Sequence, residues 1–360
     1  MFDPEKLARE NIQRLGPYSS ARHEFAGAAD IFLDANENAY GSPTGASLNR
    51  YPDPAQLALK EKIAAAKGVS AANIFVGSGS DEAIDLLFRI FAEPRRDQVI
   101  LCPPTYGMYK VAADINDVRV REIPLTSGFQ LDLPRIKDAF GPQSKLLFIC
   151  SPNNPTGNVM RRDDILELAR CAPGFVVVDE AYIDFSMERS LAAEIEQFSN
   201  LVVLQTFSKA WGLAGARVGM AFAHAKIIDF FNLVKPPYNV SSLSQEAAGE
   251  ALLQSAKVSG WVEEIIGERQ KMRNSLTTLN FVERIFPSDA NFLLIKVTGA
   301  VAVYKHLLDG RVVVRDRSSI LLCEGCLRIT VGTADENKQL IEALKTYESE
   351  AAKSLVSPVG

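Results

Sequence analysis

The strongest constraint on the fold is a series of short, unbroken apolar runs: Ile74-Phe75-Val76, Val99-Ile100-Leu101, Leu146-Leu147-Phe148-Ile149, Phe175-Val176-Val177-Val178 and Leu201-Val202-Val203-Leu204. A strand with one wet face alternates apolar and polar residues, whereas an unbroken run belongs to a strand covered on both faces. Helical patterns lie between the runs. Ile84, Leu87, Phe88 and Phe91 recur at i, i+3, i+4 and i+7, one stripe of a helix. A second helix is expected between Asp53, a capping residue followed by Pro54, and Gly68, which suits a helix end. Strands alternating with helices predict an α/β fold with a large domain, a mostly parallel sheet flanked by helices.

Beyond Lys235-Pro236-Pro237 the pattern changes. A long helical region over residues 244–279 precedes strand patterns at 291–297, 311–315 and 327–331, which together read as a smaller α+β domain. At the other end, residues 1–29 form an N-terminal arm with a short helix over 4–15 before the Gly16-Pro17 break. The predicted division is an arm (1–29), a large domain (30–240), a small domain packing with the arm (241–353) and a tail (354–360). Two domains fit 360 residues at roughly 150 residues each.

Charge and composition exclude several functions. Thirty-nine basic against 44 acidic residues leave a net charge of −5, which counts against a globally basic nucleic-acid binder. No apolar run approaches the roughly 18 residues of a membrane span. The start, Met-Phe-Asp-Pro-Glu-Lys, lacks the basic region and apolar stretch of a signal peptide, so a cytoplasmic protein is expected. Three widely spaced histidines, His23, His224 and His306, give no metal-binding spacing, and no metal is expected. Cys323 and Cys326 form a C-x-x-C pair with no second pair or nearby histidine. They read as two thiols at a turn.

In an open α/β sheet, ligands bind beyond the carboxyl ends of the strands. After the first run comes Gly77-Ser78-Gly79-Ser80-Asp81-Glu82 leading into a helix, an arrangement suited to phosphate. The next ends carry Ser151-Pro152-Asn153-Asn154-Pro155-Thr156-Gly157, Asp179-Glu180-Ala181-Tyr182, and Gln205-Thr206-Phe207-Ser208-Lys209 with Arg217 eight residues on. Each segment alone could be a turn, a cap or a surface charge. Converging on one sheet edge, they supply an anion cradle, an asparagine, a buried carboxylate, a tyrosine, a lysine and an arginine. A phosphate-bearing aromatic aldehyde needs that set.

With these motifs the sequence resembles the fold-type-I pyridoxal-phosphate aminotransferases, and within them the histidinol-phosphate aminotransferase family. The resemblance spans residues 18–333. Shared with the wider group are Asn-Pro-Thr-Gly, Asp-Glu-Ala-Tyr and Ser-Lys with its downstream arginine. More particular are Leu33-Asp34-Ala35-Asn36-Glu37-Asn38, Arg50-Tyr51-Pro52, Cys102-Pro103-Pro104-Thr105-Tyr106-Gly107-Met108-Tyr109, Arg315-Asp316 and Cys326-Leu327-Arg328-Ile329-Thr330-Val331-Gly332. Ala39, Ala216 and Ser78 depart from residues frequent in the family, and none is a group that performs chemistry.

The resemblance implies an aspartate-aminotransferase-like fold and pyridoxal 5'-phosphate as cofactor. It implies that Lys209 carries the cofactor as a Schiff base and moves the proton between Cα and C4′, with Asp179 on the pyridine nitrogen. Asn154 and Tyr182 would bond the ring hydroxyl, and Tyr106 would stack on the ring. Gly79, Ser80, Asp81 and Glu82, with Thr206, Ser208 and Arg217, would hold the phosphate. Tyr18, Asn36, Tyr51, Arg315 and Arg328 fall to the substrate, Tyr51 reaching in from the partner subunit of a homodimer. The implied reaction passes an amino group between L-histidinol phosphate and 2-oxoglutarate, in histidine biosynthesis. A threonine-phosphate-type decarboxylase or an aromatic-amino-acid aminotransferase on the same fold would share the cofactor residues.

Overall fold

A computed structural model describes residues 3–16, 31–45 and 47–356. Seven strands form one sheet: β1 (Ile74–Ser78), β2 (Gln98–Leu101), β3 (Arg119–Glu122), β4 (Ser144–Cys150), β5 (Phe175–Asp179), β6 (Leu201–Thr206) and β7 (Val218–Ala223). Their spatial order is β1-β7-β6-β5-β4-β2-β3. β3, β2, β4, β5 and β6 pair in parallel, and only β7 runs antiparallel to its neighbours β6 and β1.

The unbroken apolar runs are buried on both faces, as expected. Val176 and Val178 of β5 join one core cluster while Phe175 and Val177 join the other. Leu147 and Ile149 of β4 divide in the same way from Leu146 and Phe148. The period of two thus sends alternate side chains into two helical layers. Ile84, Leu87, Phe88 and Phe91 are all buried on the helix Ser80–Phe91.

A second, antiparallel sheet belongs to the smaller domain: β8 (Val282–Ile285), β9 (Phe292–Val297), β10 (Arg315–Asp316) and β11 (Cys326–Thr330), in the order β10-β11-β9-β8. It packs on the helices Ser255–Leu276, Ala300–Asp309 and Ala334–Val356.

Several expectations need correction. The strand expected at 311–315 is reduced to Arg315–Asp316, because Arg311 takes a left-handed φ of 60° and closes the turn after the preceding helix. The helix ending at Gly68 begins at Leu57, since Asp53 accepts from the amides of Ala55 and Leu57 across a separate turn. The helical region 244–279 breaks at Gln254 into Ser242–Leu253 and Ser255–Leu276. The arm helix is two short helices, Pro4–Leu7 and Glu10–Gln13, separated at Ala8 and Arg9 by extended backbone.

The described arm residues pack on the large domain rather than the small one. Ala8 and Ile12 are buried in the cluster that holds Phe75 and Ile90, and the Arg9 amide donates to the Ile90 carbonyl. Strands β3, β7 and β8 carried no recognisable apolar run. β3 is a charged edge strand, and β7 is interrupted by Gly219 and two alanines.

Candidate active site

A cavity of about 580 Å³ opens at the carboxyl ends of β4, β5 and β6 and is closed from the other side by β10 and β11. Four of the segments read from the sequence meet there. Ser80, Asp81, Tyr106, Asn154, Asp179 and Tyr182 line it, as do Thr206, Ser208, Lys209, Arg217, Arg315 and Arg328.

At the floor, β5 ends on Asp179, buried next to Cys150 of β4. Alternation along the strand turns the next residue, Glu180, to the opposite side. There it accepts from Ser190 Oγ, the Leu191 amide and Gln205 Nε2. Asp179 Oδ2 accepts from Tyr109 Oη at 2.6 Å, and Oδ1 from the Ala181 amide at 3.1 Å. Burial raises the Asp179 carboxyl above its ordinary value, and these hydrogen bonds oppose the rise. No cation lies within ion-pair distance of it among the described residues. A buried carboxylate needs a positive partner, and a protonated pyridine nitrogen would supply one.

Lys209 reaches into the cavity with Nζ 5.6 Å from the centre of the Tyr182 ring. Desolvation, then repulsion by Arg328, lowers its pKa. Both effects favour the neutral amine, the nucleophilic form. Asn154 and its neighbour divide their work. Asn153 is fully buried, donating to the Pro104 carbonyl and Thr156 Oγ1 and accepting from Thr105 Oγ1. Asn154 faces the cavity, and its Oδ1 accepts from Arg328 Nη1. Its amide nitrogen remains able to donate to a ring hydroxyl.

The anion cradle lies where the helix Ser80–Phe91 begins. Gly79 takes φ = 78°, and a Cβ there would stand 2.6 Å from Arg217 Nη2. Behind it, a Cβ on Gly219 of β7 would stand 2.1 Å from the Ser80 nitrogen. Two glycines therefore let backbone amides and a guanidinium converge at a helix N-terminus, the setting for a phosphate. Arg217 Nη2 lies 3.4 Å from Asp81 Oδ2, and Tyr106 Oη donates to Asp81 Oδ1 at 3.2 Å. Thr206 Oγ1 accepts from the Ser208 amide at 3.1 Å and lies 3.0 Å from Ser208 Oγ. These residues fit a phosphate-bearing pyridine aldehyde at each of its polar groups.

Three predicted residues fall elsewhere. The Glu82 carboxylate turns back to accept from the Ser78 amide at 2.5 Å and from Asn239 Nδ2 at 3.0 Å. Its side chain braces the glycine turn instead of facing the cavity. Asn36 and Tyr51 line a neighbouring cavity of about 690 Å³ that shares Arg217 with the first. There Tyr51 stacks on Tyr238 with centroids 4.4 Å apart. Tyr18 lies outside the described residues.

Two residues escaped the sequence reading. Tyr109 stands three residues after Tyr106, and their rings meet edge-on at 5.5 Å. Arg317 lines the cavity with Arg315 and Arg328. Its signal was the spacing of two from Arg315. The Cys323–Cys326 pair forms a turn, with the Cys326 amide donating to the Cys323 carbonyl. Burial pushes the two thiols up to about 12 and about 11.

Comparison with known proteins agrees with this geometry. The family model for aminotransferase class I and II matches residues 31–344. A histidinol-phosphate aminotransferase of Cytophaga hutchinsonii is 49% identical over 346 residues, 96% of this chain and 99% of that protein. Among solved structures, the histidinol-phosphate aminotransferase from Clostridium acetobutylicum superposes with a TM-score of 0.77 at 23% identity, covering 84% of this chain and 92% of that one. The L-threonine-O-3-phosphate decarboxylase of Porphyromonas gingivalis superposes with a TM-score of 0.72 at 27% identity, covering 83% and 91%. The architecture is aspartate-aminotransferase-like. The chain belongs to the class I and II aminotransferases and, within them, to the histidinol-phosphate aminotransferase family.

Proposed function

We propose that this chain transfers an amino group reversibly between L-histidinol phosphate and 2-oxoglutarate, giving imidazole acetol phosphate and L-glutamate. The chain is a pyridoxal-phosphate-dependent aminotransferase. The observation that carries the choice of substrate is a wall of three arginines, Arg315, Arg317 and Arg328, which form no ion pair among the described residues and line the same cavity as Lys209. A phosphate ester meets that wall with two charges, and a carboxylate of glutamate can use part of it.

Bound pyridoxal 5'-phosphate supplies an aldehyde that takes up the amino group and a ring that accepts the electrons of the deprotonated carbon. The protein's residues do the rest. Lys209, whose charged form is disfavoured by desolvation and by Arg328, would attach the cofactor and move the proton of the amine-bearing carbon of the substrate. Asp179 keeps a proton on the pyridine nitrogen, and Tyr109 holds the carboxylate in place. Asn154 and Tyr182 donate to the ring hydroxyl, and Tyr106 covers the ring. Ser80, Asp81 and Gly79 give backbone amides to the cofactor phosphate, and Thr206, Ser208 and Arg217 close around it. Arg315 and Arg328 take the substrate phosphate.

Two chains pair in this reading. The stretch 31–51 leaves Ile31, Leu33, Tyr40 and Tyr51 exposed, at 76%, 84%, 102% and 51%. Apolar surface of that extent suits a self-complementary interface. It would carry Asn36 and Tyr51 to the partner's site rather than to their own. In the same reading the chain divides into units at residues 30–240 and 241–353, with the smaller unit closing over substrate. No described helix is long and apolar enough to cross a membrane, and the cytoplasm suits a biosynthetic enzyme.

The test is to supply the enzyme with cofactor, histidinol phosphate and 2-oxoglutarate and to measure glutamate. Glutamate formed in step with loss of histidinol phosphate is expected. Release of carbon dioxide from threonine phosphate, with no glutamate formed, would assign the site to the decarboxylase reaction instead.

A further inference from the structure

The wall opposite Lys209 carries an electrostatic cost that the described residues relieve only in part. Arg315 of β10 stands directly across from Arg328 of β11 in the antiparallel ladder. Like charges at such a pair repel. Two residues on, the Arg317 amide donates to the Cys326 carbonyl at 2.9 Å and so extends the ladder. The period of two returns the Arg317 side chain to the face of Arg315. All three guanidiniums reach the same cavity.

Among the described residues none of the three has a carboxylate within ion-pair distance. The Arg328 side chain hydrogen-bonds, among the described residues, only to Asn154, and those of Arg315 and Arg317 make no hydrogen bond. Nε of Arg317 and Nε of Arg328 are both enclosed and without a partner. Buried donors in that state are costly. Desolvation and repulsion by Arg315 lower the Arg317 pKa, as desolvation, Arg317 and Arg315 lower that of Arg328. The adjacent Asp316 relieves the charge on Arg317 only in part and forms no ion pair with it, its Oδ1 accepting from the Ser318 amide.

We propose that Arg317 is a specificity residue, the third guanidinium of a subsite built for the phosphate dianion of the substrate. Resting on the reading of function above, it assigns a role to a residue outside the family motifs quoted there. A phosphate monoester offers three terminal oxygens and up to two charges, enough to engage three guanidiniums. A carboxylate offers two oxygens and one charge, and leaves one guanidinium unanswered. Arg317 therefore favours the phosphate-bearing substrate over glutamate within one cavity.

The experiment compares the holoenzyme with Arg317→Gln and Arg317→Lys. Each half-reaction is followed separately in single turnover, with histidinol phosphate or with glutamate, and inorganic phosphate binding is measured by calorimetry. In Arg317→Gln, kcat/KM should fall at least tenfold more for histidinol phosphate than for glutamate, mainly through KM. Phosphate affinity should fall too, and Arg317→Lys should recover part of both. Equal losses for the two substrates, or phosphate affinity equal to wild type, would overturn the role of Arg317. Wild-type enzyme inert toward histidinol phosphate would instead refute the functional reading, and the phosphate titration would still decide whether Arg317 binds a phosphate.

Discussion

The two sides of the cavity treat charge differently. On the large-domain side, cations and acids are interleaved: Arg217 lies beside Asp81, and Lys209 feels both Asp179 and Asp81. On the small-domain side, Arg315, Arg317 and Arg328 line the cavity together, and among the described residues none of them forms an ion pair with an acid. A permanently held cofactor can be met by a nearly balanced surface whose groups are set one by one. In the proposed reading, a substrate that enters and leaves brings its own negative charge, and the wall assigned to it stays unbalanced until it arrives.

The comparison can be broken most severely at the floor. Lys209→Ala is expected to abolish transamination while circular dichroism and the melting temperature stay near wild type. Near-normal turnover would remove Lys209 from the reaction. Asp179→Asn should lower activity on the order of 10²–10³-fold, the scale of losing one preorganised electrostatic group. It should also change the pH dependence of apoenzyme stability. The unfolded Asp179 carboxyl ionises at its ordinary value, and the folded one only at higher pH because it is buried. Between the two the folded state holds the extra proton, so stability falls as pH rises through that window. The asparagine variant lacks this fall, which a series of melts across acidic pH would reveal.

Smaller effects sharpen the picture. Gly219→Ala forces a Cβ against the Ser80 nitrogen, and chemical denaturation should show a loss of about 1–3 kcal/mol, as for overpacking in a tight core. Cofactor affinity should fall with it. Tyr109→Phe keeps the ring but removes the hydroxyl that donates to Asp179 at 2.6 Å. A hydrogen bond to a charged group is worth about 1.5–3 kcal/mol, so a loss of activity near tenfold or somewhat more is expected in steady-state assays. An unchanged absorbance spectrum and rate would show that Asp179 needs no such support.

The same comparison explains what could be read in advance. The floor was legible because its residues sit at the ends of unbroken apolar runs, where chain order alone places Asp179, Asn154 and Lys209 at one sheet edge. Arg317 was not, because its relation to Arg328 exists only once β10 pairs with β11, and β10 is two residues long. Tyr109 required knowing that Met108–Ile115 is a helix beginning beside the cavity. The side chain of Glu82 was misplaced for a related reason. Nothing in the local sequence announces Asn239, 157 residues away, as its partner. Asn36 and Tyr51 line an outer cavity, and no local pattern in the sequence separates that cavity from the one holding Lys209.

The proposed preference of the arginine wall for a phosphate is the property on which the choice of substrate rests. It is tested most directly by following the cofactor absorbance of the wild-type holoenzyme on addition of histidinol phosphate or of histidinol, which lacks the phosphate. Two charge-assisted hydrogen bonds at roughly 1.5–3 kcal/mol each predict a first half-reaction at least about a hundredfold more efficient with the phosphate ester. Equal efficiency with the two compounds would contradict the account.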